Sequence, residues 1–427
     1  MVDVDSIDFF TDNELLHDPY DYLAALRGEC PVRREKHHDV VMVTAYDEAL
    51  AIYNDTDRFS SCLSVTGPFP GFPVPLEGED LSDLIAEHRD KLPMSDQLPT
   101  LDPPVHTAHR ALLSKMITPR RLKENEEFMW RLADRQLDAA LTGGRCEFIR
   151  DFASPFAMLV IADLLGVPSE DQPEFVQRLN RPHTGTLGST GGDPMAQSPL
   201  EFLYEKFTGY IEDRRRHPRG DVLTGVASAT FPDGSTPPVI DAVCVAANLF
   251  AAGQETTVRL LSTAVMMLGE DPELQTRLRN NRDLIPNFIE ESLRYESPIR
   301  GDFRVAKVPV EIGGVQFPSG TILFLANAAI NRDPARFPEP DTFDIERGNA
   351  RSHVAFGRGV HSCPGAPLAR AEALVSLQRL FDRTTDIWID EDEHGPAGDR
   401  RYSYLPTFIL RGLTRLHIGF TSAGGDA

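Results

Sequence analysis

The apolar positions of this chain follow helical spacing over most of its length and strand-like runs over short stretches. Residues 14–57 mix helical pattern with one apolar run, VVMVT at Val40–Thr44, which predicts a strand. Helical pattern runs from His106 to about residue 141 and resumes over 148–165. Two amphipathic stretches flank a Gly/Ser/Thr-rich connector at 181–199, the composition of a mobile hinge. From Pro238 to Gly269 the chain is apolar on nearly every face, which predicts a buried central helix. At 1.5 Å per residue such a helix spans roughly 45 Å, enough to cross a domain. A further helix is expected through Arg294, then short strands separated by turns at Gly313-Gly314 and Pro318-Ser319-Gly320. The run APLARAEALVSLQRLFDRT predicts a helix after Cys363, with late strands near Phe408–Leu410 and Leu416–Phe420.

One region breaks the pattern. Residues 63–104 hold eight prolines, and TGPFPGFPVPLEG excludes a regular helix or central strand there. Its apolar residues Phe69, Phe72, Val74 and Leu76 suit a wall or lid, against the plainer reading of a surface excursion packed on itself. Residues 63–100 and 184–197 are therefore expected to be flexible access loops. With no internal repeat and no linker, the chain reads as one domain over 1–427, mainly α with a small β-rich region.

Composition narrows the partners. A length of 427 residues can bury a large core and enclose a ligand. A net charge of −22 disfavours nucleic acid or an anionic membrane surface. The five cysteines are scattered and without CxxC spacing, which argues for a reducing compartment and against a disulfide framework or a zinc site. The acidic N-terminus lacks the pattern of a signal peptide, and no apolar stretch approaches the ~20 residues of a membrane span. A cytoplasmic monomer is expected.

The chemistry begins at FGRGVHSCPG, Phe356 to Gly365. Gly357, Gly359 and Gly365 permit turns and close approach, and the helix that follows aims its free N–H groups at the Cys363 sulfur. Such a setting stabilises a thiolate, which serves as a nucleophile or as a metal ligand. His361 is too close in sequence to give nucleophile–base geometry, and the further ligands of a zinc site are missing. A single thiolate in a glycine-lined loop fits an axial ligand to haem.

This segment resembles the cytochrome P450 family, matching its F-x-x-G-x-x-x-C-x-G haem signature at every fixed position. The resemblance implies the family's triangular-prism fold, haem b as cofactor, Cys363 as the iron ligand, Phe356 near the sulfur and His361 on a haem propionate. Ala252-Gly253-Gln254-Glu255-Thr256 resembles the family's motif on the central helix. An alcohol there positions dioxygen and an adjacent carboxylate links it to solvent protons, so the resemblance makes Glu255 and Thr256 the catalytic pair. The segment DPPVHTAHR, with His106 and Arg110 at i,i+4, is similar to the family's propionate-binding segment, as is the arginine at Arg304. Glu291 and Arg294, in EESLRYESP, resemble a structural network behind the haem; Glu212–Arg215 has the same spacing without that setting. Thr342 stands where the network's third member is commonly basic, and Arg347 is the candidate substitute.

Together these segments imply a monooxygenase that hydroxylates a hydrophobic small molecule, terpenoid, steroid or fatty-acid-like, with O2. No flavin or nicotinamide fingerprint is present, so electrons are expected from outside the chain, and the resemblance implies a ferredoxin-type partner; Arg110, Lys115, Arg120 and Arg121 read as a docking patch for it or as ordinary solvated charge. The alternatives are a peroxide-driven peroxygenase and a non-catalytic haem sensor or carrier.

Overall fold

The computed structural model describes residues 2–179, 188–189 and 199–423. The central helix is present as Val239–Glu270 and runs without interruption. Around it pack helices Ser154–Leu165, Pro199–Arg216, Ile285–Tyr295 and Ala366–Arg383, sharing one large apolar core. Gly253 allows one of these approaches: a Cβ there would meet the Ile161 side chain at 3.3 Å. Helix Ser154–Leu165 packs directly against this glycine, which therefore serves helix packing.

The β-rich part holds strands β1 (Val32–Arg34), β2 (Val41–Val43), β3 (Phe59–Ser60), β4 (Arg145–Glu147), β5 (Asp302–Ala306), β6 (Val310–Ile312), β7 (Val315–Phe317), β8 (Ile322–Leu325), β9 (Thr384–Ile389) and β10 (His417–Ser422). Five of them form a sheet in the order β1-β2-β8-β5-β3, with β2 parallel to β8 and the other pairs antiparallel. Val41 and Val43 face a core with Leu323 and Leu325, whereas Met42 faces Phe303 and Phe324 on the other side. Both faces are covered, which is why VVMVT is apolar throughout rather than alternating. A second sheet, β4-β10-β9, packs on the central helix, and β6 and β7 form a hairpin.

Several expectations change. The helical run from His106 divides into Val105–Met116 and Pro119–Ala140, because Pro119 cannot continue the first helix and Thr118 caps the second by accepting from Arg121 N. Residues 63–100 are not wholly irregular: Ser82–His88 is helical, in the stretch between Pro75 and Pro93 that holds no proline. Leu63, Leu81, Ile85 and Leu92 bury a small core of their own with Val305, with Phe72 and Leu76 against it. Phe408 makes no strand; it joins an aromatic cluster with Phe10, Phe69 and Phe303. The loop expected at 184–197 lies outside the described residues apart from 188–189. Among the described residues no helix is long and apolar enough to cross a membrane.

Candidate active site

The cysteine loop is built as its glycines demand. Gly357 and Gly359 take φ of 62° and 67°, the left-handed region that favours glycine. A Cβ on Gly359 would lie 2.3 Å from the Tyr53 carbonyl oxygen, so the loop needs the bare backbone to seat against helix Tyr46–Tyr53. The Cys363 N–H donates to the Phe356 carbonyl at 2.8 Å, closing the turn. A Cβ on Gly365 would lie 3.8 Å from the Cys363 sulfur, which places that glycine in contact with it. Cys363 is itself accessible to solvent, although protein surrounds the loop that carries it. Burial pushes the thiol upward, opposed by the N–H groups of Gly365 and Ala366 and by the charges of Arg110 and Arg370. Arg370 stacks 4.7 Å over the Phe356 ring, and Glu290 holds it with a 2.5 Å ion pair. The Phe356 ring is thus held under the Arg370 guanidinium.

His106, Arg110, Arg304 and His361 come together on one side of the loop. The His106 and His361 rings lie 4.1 Å apart. His106 is buried, and neither of its ring nitrogens has a hydrogen-bond partner. Burial, with Arg110 next, holds it down to about 4; burial, with Arg304 next, holds His361 down to about 2. Both rings are therefore neutral at pH 7. Arg110 donates to the Ser362 carbonyl at 2.6 Å, and Arg304 pairs with Asp302 at 2.5 Å while lying over Tyr53. An orphaned imidazole buried beside a guanidinium group is costly unless a further polar group satisfies it, and an anion suits the pair. A dicarboxylate macrocycle does so, and the bare sulfur beside this cluster offers the iron a ligand. The residues fit haem.

On the central helix Thr256 donates its hydroxyl to the Ala252 carbonyl at 2.8 Å, leaving its oxygen free to accept. Ala252 is exposed despite lying mid-helix, so this face is open. Glu255 pairs with Arg259 at 3.1 Å and is 41% exposed, which joins the acid to solvent. The next residue, Thr257, points the other way and donates to Glu372 at 3.0 Å; burial pushes that carboxyl well above its ordinary value.

Glu291 and Arg294 are both fully buried and doubly hydrogen-bonded, at 2.7 Å each. Arg347 completes the network, donating to Glu291 at 3.0 Å. Thr342 contributes only its carbonyl, to Arg294 and Arg347. The second match behaves differently: Arg215 donates to the carbonyls of Ala227 and Pro237. Sequence reading also passed over Ser61, whose hydroxyl meets His361 at 3.1 Å, and the Glu290–His353 pair at 3.1 Å. A hydroxyl beside a strand end carries no spacing signal that would have found it. Of the basic residues expected at a docking face, Arg120 and Arg121 both pair with Glu124, and Lys115 donates to Thr230.

The chain is similar to known proteins along nearly its whole length. The family model described as Cytochrome P450 matches residues 233–385. The substrate-free Mycobacterium marinum cytochrome P450 CYP150A6 is 54% identical, with a TM-score of 0.93 over 99% of this chain and 100% of that one. CYP109E1 from Bacillus megaterium, solved in complex with testosterone, is 26% identical with a TM-score of 0.75 over 94% and 99% of the two chains. The 6-deoxyerythronolide B hydroxylase of Saccharopolyspora erythraea is 31% identical over 94% of this chain and 96% of its own. An identity of that level, held along almost the entire length of both proteins, makes this chain a member of the cytochrome P450 family, the haem-iron monooxygenases.

Proposed function

We propose that the protein hydroxylates an apolar small molecule of the terpenoid, steroid or fatty-acid kind, using O2 and electrons from a ferredoxin and its reductase, as a single-domain cytoplasmic monomer. The observation that carries this reading is the pairing of an open Ala252–Thr256 face with a carboxylate, Glu255, that reaches solvent. A monooxygenase must deliver protons to reducing oxygen without admitting bulk water, and an alcohol beside a solvent-linked acid does this. Haem supplies electron transfer and oxygen activation once bound. Cys363 would hold the haem iron through its sulfur, with Gly365 leaving room beside it, Gly357 turning the loop and Phe356 packed under Arg370. His106, Arg110, Arg304 and His361 would hold the propionates: imidazole N–H groups donate hydrogen bonds and the two guanidinium groups supply charge. Glu291 and Arg294, with Arg347, brace the structure behind the loop. The testosterone complex of the Bacillus megaterium relative supports an apolar substrate of small-molecule size.

The test is spectroscopic and then kinetic. Ferrous protein under carbon monoxide should show the strongly red-shifted Soret band of a thiolate ligand. Reduced nicotinamide, passed through a ferredoxin and reductase, should then be consumed in step with hydroxylated product. Equal turnover with peroxide alone would replace this reading with a peroxygenase, and binding without turnover would replace it with a carrier.

A further inference from the structure

The cluster of His106, Arg110, Arg304 and His361 leans on a residue outside it. Ser61 directly follows strand β3 and is buried. Among the described residues its hydroxyl has one hydrogen-bond partner, the Nε2 nitrogen of His361 at 3.1 Å. Three elements fix where Ser61 sits. Strand β3 pairs with β5, the strand that carries Arg304, with Ser60 opposite Val305. The Ser61 N–H donates to one oxygen of the Asp102 carboxylate at 2.8 Å, and the Ser60 hydroxyl donates to the other. The Asp102 carbonyl accepts the His106 N–H at 2.9 Å, at the start of the helix that bears His106 and Arg110. The backbone of Ser61 is thus held by the same elements that bring three of the four side chains together, and its hydroxyl reaches the fourth.

That hydroxyl matters because His361 is a neutral ring, kept so by burial and by the charge of Arg304. A neutral imidazole carries one N–H and one bare lone pair, and its two tautomers exchange them. Ser61 occupies Nε2, and Nδ1 has no partner among the described residues, so Nδ1 is the nitrogen left for a ligand. If the proton sat on Nε2, Nδ1 would turn a lone pair toward the anion that Arg110 and Arg304 attract, and the two would repel. A serine O–H rotates freely, so it can donate to Nε2 and leave the proton on Nδ1.

We propose that Ser61 is a positioning residue for haem retention: its hydroxyl donates to Nε2 of His361 and so fixes the tautomer that offers Nδ1–H to a haem propionate. This rests on the haem-binding reading above and adds to it a residue that acts through His361. The hydrogen bond that sets a tautomer is worth as much to binding as the contact it orients, because the wrong tautomer replaces an attraction with a repulsion.

Haem release tests this without turnover. Ferric holoprotein is mixed with excess apomyoglobin, and transfer of the haem is followed by absorption. Ser61→Ala should release haem about tenfold faster than wild type, the equivalent of one hydrogen bond to a charged group. Ser61→Thr keeps the hydroxyl and should restore the wild-type rate. The same change is then made in His361→Ala, where Ser61→Ala should alter the rate by less than about twofold, because the residue through which Ser61 acts is gone. A merely structural serine would speed release equally in both backgrounds. That additive result overturns the assignment, and so does a wild-type rate in Ser61→Ala. Nitrogen-15 histidine spectra of the wild-type ferrous carbon monoxide form should place the His361 proton on Nδ1; a proton on Nε2 also overturns it. Should either alanine variant fail to hold haem, this spectrum alone decides. Absence of the thiolate-type carbon monoxide band from the wild type would instead overturn the haem-thiolate reading itself.

Discussion

At the scale of single residues, the site separates groups that are held from groups left free. Thr256 spends its proton on the Ala252 carbonyl and keeps an accepting oxygen on the open face, whereas Thr257 is committed to Glu372. Two adjacent threonines of the same chemistry thus have different consequences. Thr256→Ala is expected to lower product formed per reduced nicotinamide consumed by at least tenfold, with the balance recovered as peroxide, because proton delivery is worth about 10²–10⁴ in rate. Thr257→Val should leave that ratio close to wild type. Measuring product, peroxide and nicotinamide together decides it, and equal coupling in the Thr256→Ala protein would remove the threonine from the mechanism.

At the scale of elements, two ion-pair networks fix the cysteine loop and the segment before it to helix Ile285–Tyr295. Glu291 binds Arg294 and Arg347 with no exposure of either Glu291 or Arg294, and removing one partner of such a pair costs about 3–5 kcal/mol because a buried charge is left behind. Arg347→Ala should lower the thermal midpoint and release haem, while Thr342→Ala should do neither, since only the Thr342 carbonyl takes part. The adjacent Glu290 gives a pH signature. Burial acts to raise its pKa, but hydrogen bonds from His353 and Arg370 outweigh it and bring the carboxyl from 4.5 to about 2. A depressed carboxyl stabilises the fold fully above its unfolded pKa, and that stability is lost as pH falls through the folded value. Glu290 therefore contributes above about pH 4.5 and its contribution fades toward pH 2. Unfolding followed against pH should be less steep over that window in Glu290→Gln, and an unchanged slope would show that Glu290 contributes nothing there.

At the scale of the molecule, the site is enclosed by parts far apart in the chain. Asp96 from the Pro-rich segment, Tyr204 from helix Pro199–Arg216 and Cys244 from the central helix meet at one point. This contact ties the segment 63–100 to helix Pro199–Arg216 and to the central helix, and it is a candidate latch for ligand entry. Tyr204→Phe removes the hydroxyl that joins the two outer elements, and stopped-flow mixing with an alkylimidazole should show faster association by a few-fold. An unchanged association rate would mean that ligands enter by another route.

The haem-binding loop and the acid–alcohol pair were legible in the sequence because both are local: glycines, the cysteine and the helix start lie within ten residues, and Glu255 and Thr256 are adjacent on one helix. The central helix was legible for the same reason, since an element buried on every side is apolar on every side. Pairing across distance was not. Whether Thr342 or Arg347 met Glu291 depended on which backbone turned toward helix Ile285–Tyr295, and the answer came as a side chain from one and a carbonyl from the other. The Pro-rich segment looked structureless because its small core closes against Val305, a residue more than two hundred positions away.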